Sequence, residues 1–386
     1  MFSRKIRIGY ISFCNPKDRF GMSGTSYKIA ESLEKMNAEV VYIPTSNPFL
    51  DHCVKVVCKL FNLLTLKKRT IMPTHTKIGA SLFSAVVDES KFNDCDVLFA
   101  PFCSQPLFGI KNKQNKPILY LSDCTFKLME NYYIHDLTGW NMKQGSLVEK
   151  TAMDKSSAII LSSSWAAQSA INHYHQPASK VHIVEFGANI DNKDIKIVDW
   201  LTLNSTIDIL FLGVNWERKG GQIAIDACKW LNDNGVKATI HIVGIRNLDD
   251  SIKKLPFVDY VGFLNKNDPE QYGQLVTLMQ ACQCLLLPTF AECAGIAFCE
   301  ASSYGLPSFS HITGGVPNYV IDGVNGYLLP IGSTGADFGR MIKSCLENGE
   351  LCKMHLTSHN LYLERLNWDV WTFKVEDIIK SLINVR

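Results

Sequence analysis

The stretch Pro288-Thr-Phe-Ala-Glu292-Cys-Ala-Gly295-Ile-Ala-Phe-Cys-Glu300-Ala-Ser-Ser-Tyr-Gly305-Leu-Pro307 follows the apolar run Cys284 to Leu287 and reads as a strand end, a loop and a helix. A helix that starts near Gly295 points its first N–H groups and its positive dipole end into the crevice at the carboxyl ends of the strands, where an anion is favoured. Gly295 would let a phosphate approach the backbone closely. Glu292 lies in the loop before that helix and Glu300 about one and a half turns inside it. The two carboxylates can then accept hydrogen bonds from two sets of ligand hydroxyls. The plainer alternative is one solvated glutamate at a helix start and a second on an exposed face.

Around this stretch, short β-rich runs alternate with helix-like segments. Ile6 to Phe13 precedes a helix from Ser26 to Met36, and Val40 to Ile43, Val97 to Ala100, Ile118 to Leu121, Ala158 to Leu161 and Val181 to Glu185 follow. A second series runs from Ile207 to Leu212 through Ala238 to Val243 and Val258 to Val261 to Cys284 to Leu287, with helices at Gln222 to Asn234 and near Asp268 to Ala281. Such alternation predicts the α/β class, a parallel sheet covered by helices, built twice. The polar segment Asn189 to Ile197 reads as a connection, so the expected domains are 1–199 and 200–370. A C-terminal helix, 371–386, is expected to pack back on the first.

The 386 residues are 46% hydrophobic and 20% charged, which suits two or three folded domains and excludes long disorder. The 39 basic and 37 acidic residues nearly cancel, against a broad nucleic-acid interface. Residues 1–200 hold 24 Lys+Arg and 18 Asp+Glu, a net of +6; the remainder hold 15 and 19, a net of −4. Different partners for the two halves are expected. Thirteen scattered cysteines suit a reducing compartment, and Cys282 and Cys284 read as core strand residues, with no metal assigned. No run approaches a spanning helix, and charges interrupt the N-terminus before a signal peptide could form. The expected location is the cytoplasm.

Further residues stand in a recognisable order: Gly213 after a strand, Lys219-Gly220 before a helix, Gly244 after the next strand, Val261-Gly262-Phe263, then Pro288, Glu292, Glu300, Gly305-Leu-Pro307, Gly314-Gly315 and Asp322 to Gly326. Ser162-Ser-Ser-Trp165 and Val181 to Gly187 agree with the same order in the first half. Together they resemble the signature of retaining glycosyltransferases of family 4, densely from Ile207 to Pro330 and more thinly before it. The resemblance implies the GT-B fold, two facing Rossmann-like domains with an interdomain cleft. The first domain would bind a glycan or lipid-linked acceptor and the second a nucleotide diphosphate sugar, with no cofactor and no metal.

It also implies roles. Glu300 matches the residue that contacts the ribose, Glu292 the one that contacts donor-sugar hydroxyls, and Lys219 the lysine that binds the diphosphate, whose charge grows as the glycosidic bond breaks. Gly295, Ile296 and Ala297 at the helix start, with Gly213, Gly262 and Phe263, fall to the donor site. The family often has an arginine where Val214 stands; Arg218 either supplies that cation from a shifted position or faces solvent. Gly21 and Gly24 sit in a loop leading into the first helix, near the donor phosphate or the acceptor, although the spacing fails as a dinucleotide fingerprint. Asp123, after the strand Ile118 to Leu121, either orients the donor sugar, receives an acceptor proton, or caps a helix.

Residues 54–69 mix apolar and basic side chains. They read either as a helix covering the first sheet or as a peripheral contact with the inner face of the cell membrane. The expected activity is a retaining, metal-independent sugar transfer in cell-surface polysaccharide or glycolipid assembly. A non-catalytic nucleotide-sugar-binding partner and a GT-B phosphorylase or epimerase stand as alternatives.

Overall fold

The computed structural model describes residues 5–18, 21–198 and 206–383. Its contacts divide the chain into two compact units, Met1–Val184 with Trp371–Arg386, and Glu185–Val370.

In the first unit, β1 (Ile6–Ser12), β2 (Ala38–Pro44), β3 (Val97–Pro101), β4 (Ile118–Ser122), β5 (Ala158–Leu161) and β6 (Val181–Ile183) form one parallel sheet in the order β2-β1-β3-β4-β5-β6. Every residue of β3, β4 and β5 is buried, as expected when helices cover both faces. Tyr10 of β1 lies in register with Tyr42 on one side and Phe99 on the other. The C-terminal helix Trp368–Ile383 enters this unit at Trp371, which is fully buried with its ring edge-on to Phe99 at 6.2 Å.

In the second unit, β7 (Thr206–Leu212), β8 (Lys237–Val243), β9 (Val258–Gly262), β10 (Cys284–Leu287), β11 (Ser308–His311) and β12 (Gly326–Leu329) take the order β12-β11-β10-β7-β8-β9, again all parallel. The chain runs outward from β7 to β9, returns to β10 on the other side of β7, and runs outward again. That reversal makes the carboxyl ends of β7 and β10 a topological switch point. Both units are Rossmann-like, the α/β class predicted from the alternation.

Two local readings change. The segment after Val184 is no loose connection: Phe186, Ala188 and Ile190 are buried, and their neighbours bond within the second unit. Glu185 pairs with Arg365 at 2.7 Å, Asn189 accepts from the Trp368 indole at 3.1 Å, and the Asp191 N–H donates to the Tyr272 hydroxyl at 3.0 Å. The contact division therefore falls at Val184, ahead of residue 200. Cys282 is the C-cap of the helix Pro269–Ala281 and not a strand partner of Cys284, though both are buried in the core.

Candidate active site

The switch point is built from two loops. The first leaves β7 at Gly213 and enters the helix Gly221–Asp233. It is held by its own bonds: Asn215 Oδ1 accepts from the Arg218 N–H at 2.8 Å, its carbonyl from Lys219 at 3.1 Å, and the Trp216 carbonyl from Gly221 at 2.9 Å. Trp216 packs toward Phe211 at 5.5 Å as a support beneath the loop. The second loop leaves β10 at Pro288. Its Phe290 N–H donates to the Arg218 carbonyl at 2.8 Å and the Thr289 hydroxyl to the same oxygen at 3.2 Å, so the two loops are joined across the switch point. Gly220 permits this, because it is left-handed at φ +71° and any Cβ there would lie 2.1 Å from the Pro288 carbonyl oxygen.

This joining brings Lys219 and Glu292, 73 residues apart, into an ion pair, Nζ to Oε2. Arg218 does not face away: its Nη1 donates to the Ala291 carbonyl at 2.6 Å and lies 3.8 Å from Glu292 Oε2. Two cations and one carboxylate thus share one mostly buried spot at the carboxyl ends of β7 and β10. Val214, at the position often held by arginine, is 70% exposed.

The helix that follows is Ile296–Ser303, with Gly295 as its N-cap and no side chain capping it. Glu300 is not on an exposed face; it is 2% exposed and ion-paired with Lys266, Nζ to Oε1. A buried carboxylate needs such a partner. Lys266 was not singled out in the sequence, although its place in the loop after β9, beside Gly262 and Phe263, obeys the same carboxyl-end rule. In that loop the Asn265 N–H donates to Gln271 Oε1 at 2.8 Å. The Arg246 guanidinium lies over the Phe263 ring at 3.7 Å, and the Tyr260 hydroxyl ties β9 to the Ile245 and Arg246 carbonyls at 2.8 Å each. The loops after β7, β8 and β9 are stacked through Gly244, which is at φ +99° and would put a Cβ 2.4 Å from the Gly213 carbonyl oxygen.

Gly213, Arg218, Lys219, Gly262, Phe263, Glu292, Gly295, Ile296, Ala297 and Glu300 therefore all lie at the carboxyl edge of one sheet, within one unit. Gly21, Gly24 and Asp123 belong to the other unit. Gly21–Gly24 forms a single 3-10 turn, and Gly24, at φ +88°, is the N-cap of the helix Thr25–Glu34. Asp123 follows β4, and its carbonyl accepts from the Ser162 hydroxyl at 3.1 Å; the cap of the next turn is Thr125, not Asp123.

Near Asp123 lies a carboxylate the sequence did not flag. Glu149, on the helix Gly139–Lys155, accepts from the Phe126 N–H at 2.6 Å and the Tyr120 hydroxyl at 3.0 Å. Burial, aided by the charge of Asp123, pushes its acid up to about 7, against the hydrogen bonds that favour the anion. Among the described residues no group of three or more His, Cys, Asp or Glu is arranged to hold a metal ion.

Residues 193–355 match the model of the family described as Glycosyl transferases group 1. An uncharacterized 41.2 kDa protein in the cps region of Klebsiella pneumoniae is 24% identical over 318 residues, 78% of this chain and 84% of that one. The amylovoran biosynthesis glycosyltransferase AmsK of Erwinia amylovora is 27% identical over 173 residues, 42% of this chain and 40% of that one. Among solved structures, sucrose-phosphate synthase from Thermosynechococcus elongatus superposes with a TM-score of 0.72 at 14% identity, over 99% of this chain and 100% of that one. HepE of Anabaena in complex with UDP and glucose does so at 0.64 and 16%, over 97% of this chain and 100% of that one.

Proposed function

The chain has the GT-B fold and is consistent with the glycosyl transferases group 1 family, and on that premise we propose that it moves a sugar from a nucleotide diphosphate sugar to an acceptor hydroxyl with retention of configuration. The observation that carries the reading is the meeting of Lys219, Arg218 and Glu292 at the switch point, beside the uncapped start of the helix that buries Glu300. A diphosphate fits between cations and helix-end N–H groups. Glu292 is then the acceptor for donor-sugar hydroxyls and Glu300 for those of the ribose.

The chemistry follows from charge. As the bond from the anomeric carbon to the phosphate oxygen breaks, its electron pair stays on the diphosphate, and Lys219 with Arg218 stabilises the growing negative charge. The acceptor oxygen bonds the oxocarbenium-like carbon on the face the leaving group vacates. Its proton passes to a phosphate oxygen, so no protein base is needed, and Asp123 serves orientation. The Glu185–Val370 unit holds the donor and the first unit the acceptor. The cps-region and amylovoran names of the two relatives support an acceptor in polysaccharide or glycolipid assembly. A lipid-linked acceptor would bring the first unit, through residues 54–69, to the inner face of the cell membrane.

Thermal unfolding against UDP, GDP, ADP and their sugars tests this. One nucleotide at about a hundred times its dissociation constant stabilises by roughly 2.7 kcal/mol. The shift should vanish in Glu300→Ala and fall sharply in Lys219→Met. No shift with any nucleotide would overturn the reading, and an inverted anomeric carbon in the product would overturn retention.

A further inference from the structure

The helix Pro48–Leu64 of the first unit buries none of its 17 residues. It does not cover the sheet in the way a core helix would. Its inner stripe, Leu50, Val54, Cys58 and Phe61, is half-buried, with the Cys58 thiol donating to the Ile71 carbonyl at 3.7 Å. Its outer stripe is apolar as well: Phe49 is 73% exposed, Leu60 54%, Leu63 71% and Leu64 82%, with Val56 and Val57 beside them. At 100° per residue these six side chains fall within about a third of a turn. Leu66 continues the patch beyond the helix, and Ile78 and Leu82 on the helix Lys77–Ser84 are further exposed apolar side chains of the same unit. A cluster this rich in exposed large apolar groups marks a contact surface.

The charge around it is of one sign. Residues 52–87 contain no aspartate or glutamate, while Lys55, Lys59, Lys67, Lys68, Arg69 and Lys77 are all exposed. Lys55 and Lys59 lie on one flank of the outer stripe, and Lys67, Lys68 and Arg69 follow its end. The whole segment is fixed to the body of the unit. Thr70 pairs with Leu137, and the Asn141 side chain bonds both the N–H and the carbonyl of Met72.

We propose that this face, from Phe49 to Arg69, docks the first unit on an anionic bilayer, the apolar stripe entering the acyl boundary while the basic side chains meet lipid phosphates. Apolar side chains flanked by cations, with no carboxylate after Asp51 in the first turn of the helix, suit a surface that is apolar inside and negative at its rim. Among the described residues no helix is long and apolar enough to cross the membrane, so the contact is a peripheral one. The proposal deepens the sugar-transfer reading by naming the surface on which a lipid-linked acceptor is met, yet its evidence is independent of the donor site.

Flotation of the full chain with phosphatidylcholine vesicles, with and without phosphatidylglycerol, tests it. The protein should float with the anionic vesicles at low salt and less at high salt. Leu60→Gln with Leu63→Gln and Leu64→Gln should lower the bound fraction about tenfold. Lys67→Gln with Lys68→Gln and Arg69→Gln should remove the preference for anionic lipid. Both variants should keep the wild-type unfolding midpoint and any nucleotide-induced shift, because the altered side chains are exposed; loss of the nucleotide shift in wild type alone would sink the donor reading and leave this one standing. Absence of flotation at low salt, or unchanged flotation in the leucine variant, would overturn the proposal. So would a dimer in sedimentation that the leucine variant dissolves while vesicles bind neither form, since a second copy would then cover the face.

Discussion

Glu149 shows how much one buried carboxylate can set. It is an acid pushed up to about 7 from an ordinary 4.5 because burial outweighs three hydrogen bonds to it. A carboxyl whose folded value is raised binds its proton more tightly folded than unfolded, so its contribution is full below about 4.5 and is lost as pH rises through about 7. The span corresponds to about 3 kcal/mol. Glu149→Gln keeps the shape and an oxygen for the Phe126 N–H but removes the ionisation. Urea unfolding should therefore show wild type losing stability from pH 4.5 to 7.5 relative to the variant, whose profile is flatter over that window. Parallel profiles would mean that the carboxyl is not held up by its surroundings. Glu149 also grips the loop that carries Asp123, through Phe126, so Glu149→Ala, which leaves the Phe126 N–H no acceptor there, tests whether that loop must be held for turnover.

At the scale of elements, the site depends on two loops joined at Gly220. Alanine there meets the Pro288 carbonyl at 2.1 Å in a left-handed conformation, whereas Gly235 is equally left-handed at φ +84° with nothing within 4 Å of a Cβ. Gly220→Ala should cost about 3 kcal/mol and weaken nucleotide binding by parting Lys219 from Glu292. Gly235→Ala should cost about 1 kcal/mol and leave binding alone. Equal effects on binding would show that the loop junction is not what assembles the site. Much of this was legible in advance. Strand and helix order follows from runs such as Cys284 to Leu287, and the start of the helix at Gly295 from a glycine after a strand. Lys266 was not legible, since a lysine in a polar loop has no local mark, and only the folding of β9 beside the helix Ile296–Ser303 brings it to Glu300. The outer face of Pro48–Leu64 was legible only as one of two readings of residues 54–69, because a helix apolar on two sides has the composition of a core helix.

For the whole molecule, the question is where one unit stops. The polar residues from Asn189 to Ile197 look like a linker because composition does not show long-range partners. Phe186, Ala188 and Ile190, interleaved with polar residues, are each no more than 2% exposed. Burying a phenylalanine and an isoleucine is worth about 4 kcal/mol together, as an upper estimate, before the Glu185–Arg365 pair is counted. A fragment Glu185–Val370 should accordingly unfold cooperatively and be more stable in urea, by about 3 to 4 kcal/mol, than one beginning at residue 200. Because Lys219, Lys266, Glu292 and Glu300 all lie within it, the longer fragment should also keep the nucleotide-induced thermal shift of the full chain while transferring no sugar. Two fragments of equal stability would mean that the segment after Val184 only leans on the unit. A longer fragment that is folded but blind to nucleotide would mean that donor binding needs residues of the first unit, and the division of labour between the two Rossmann-like halves would have to be redrawn.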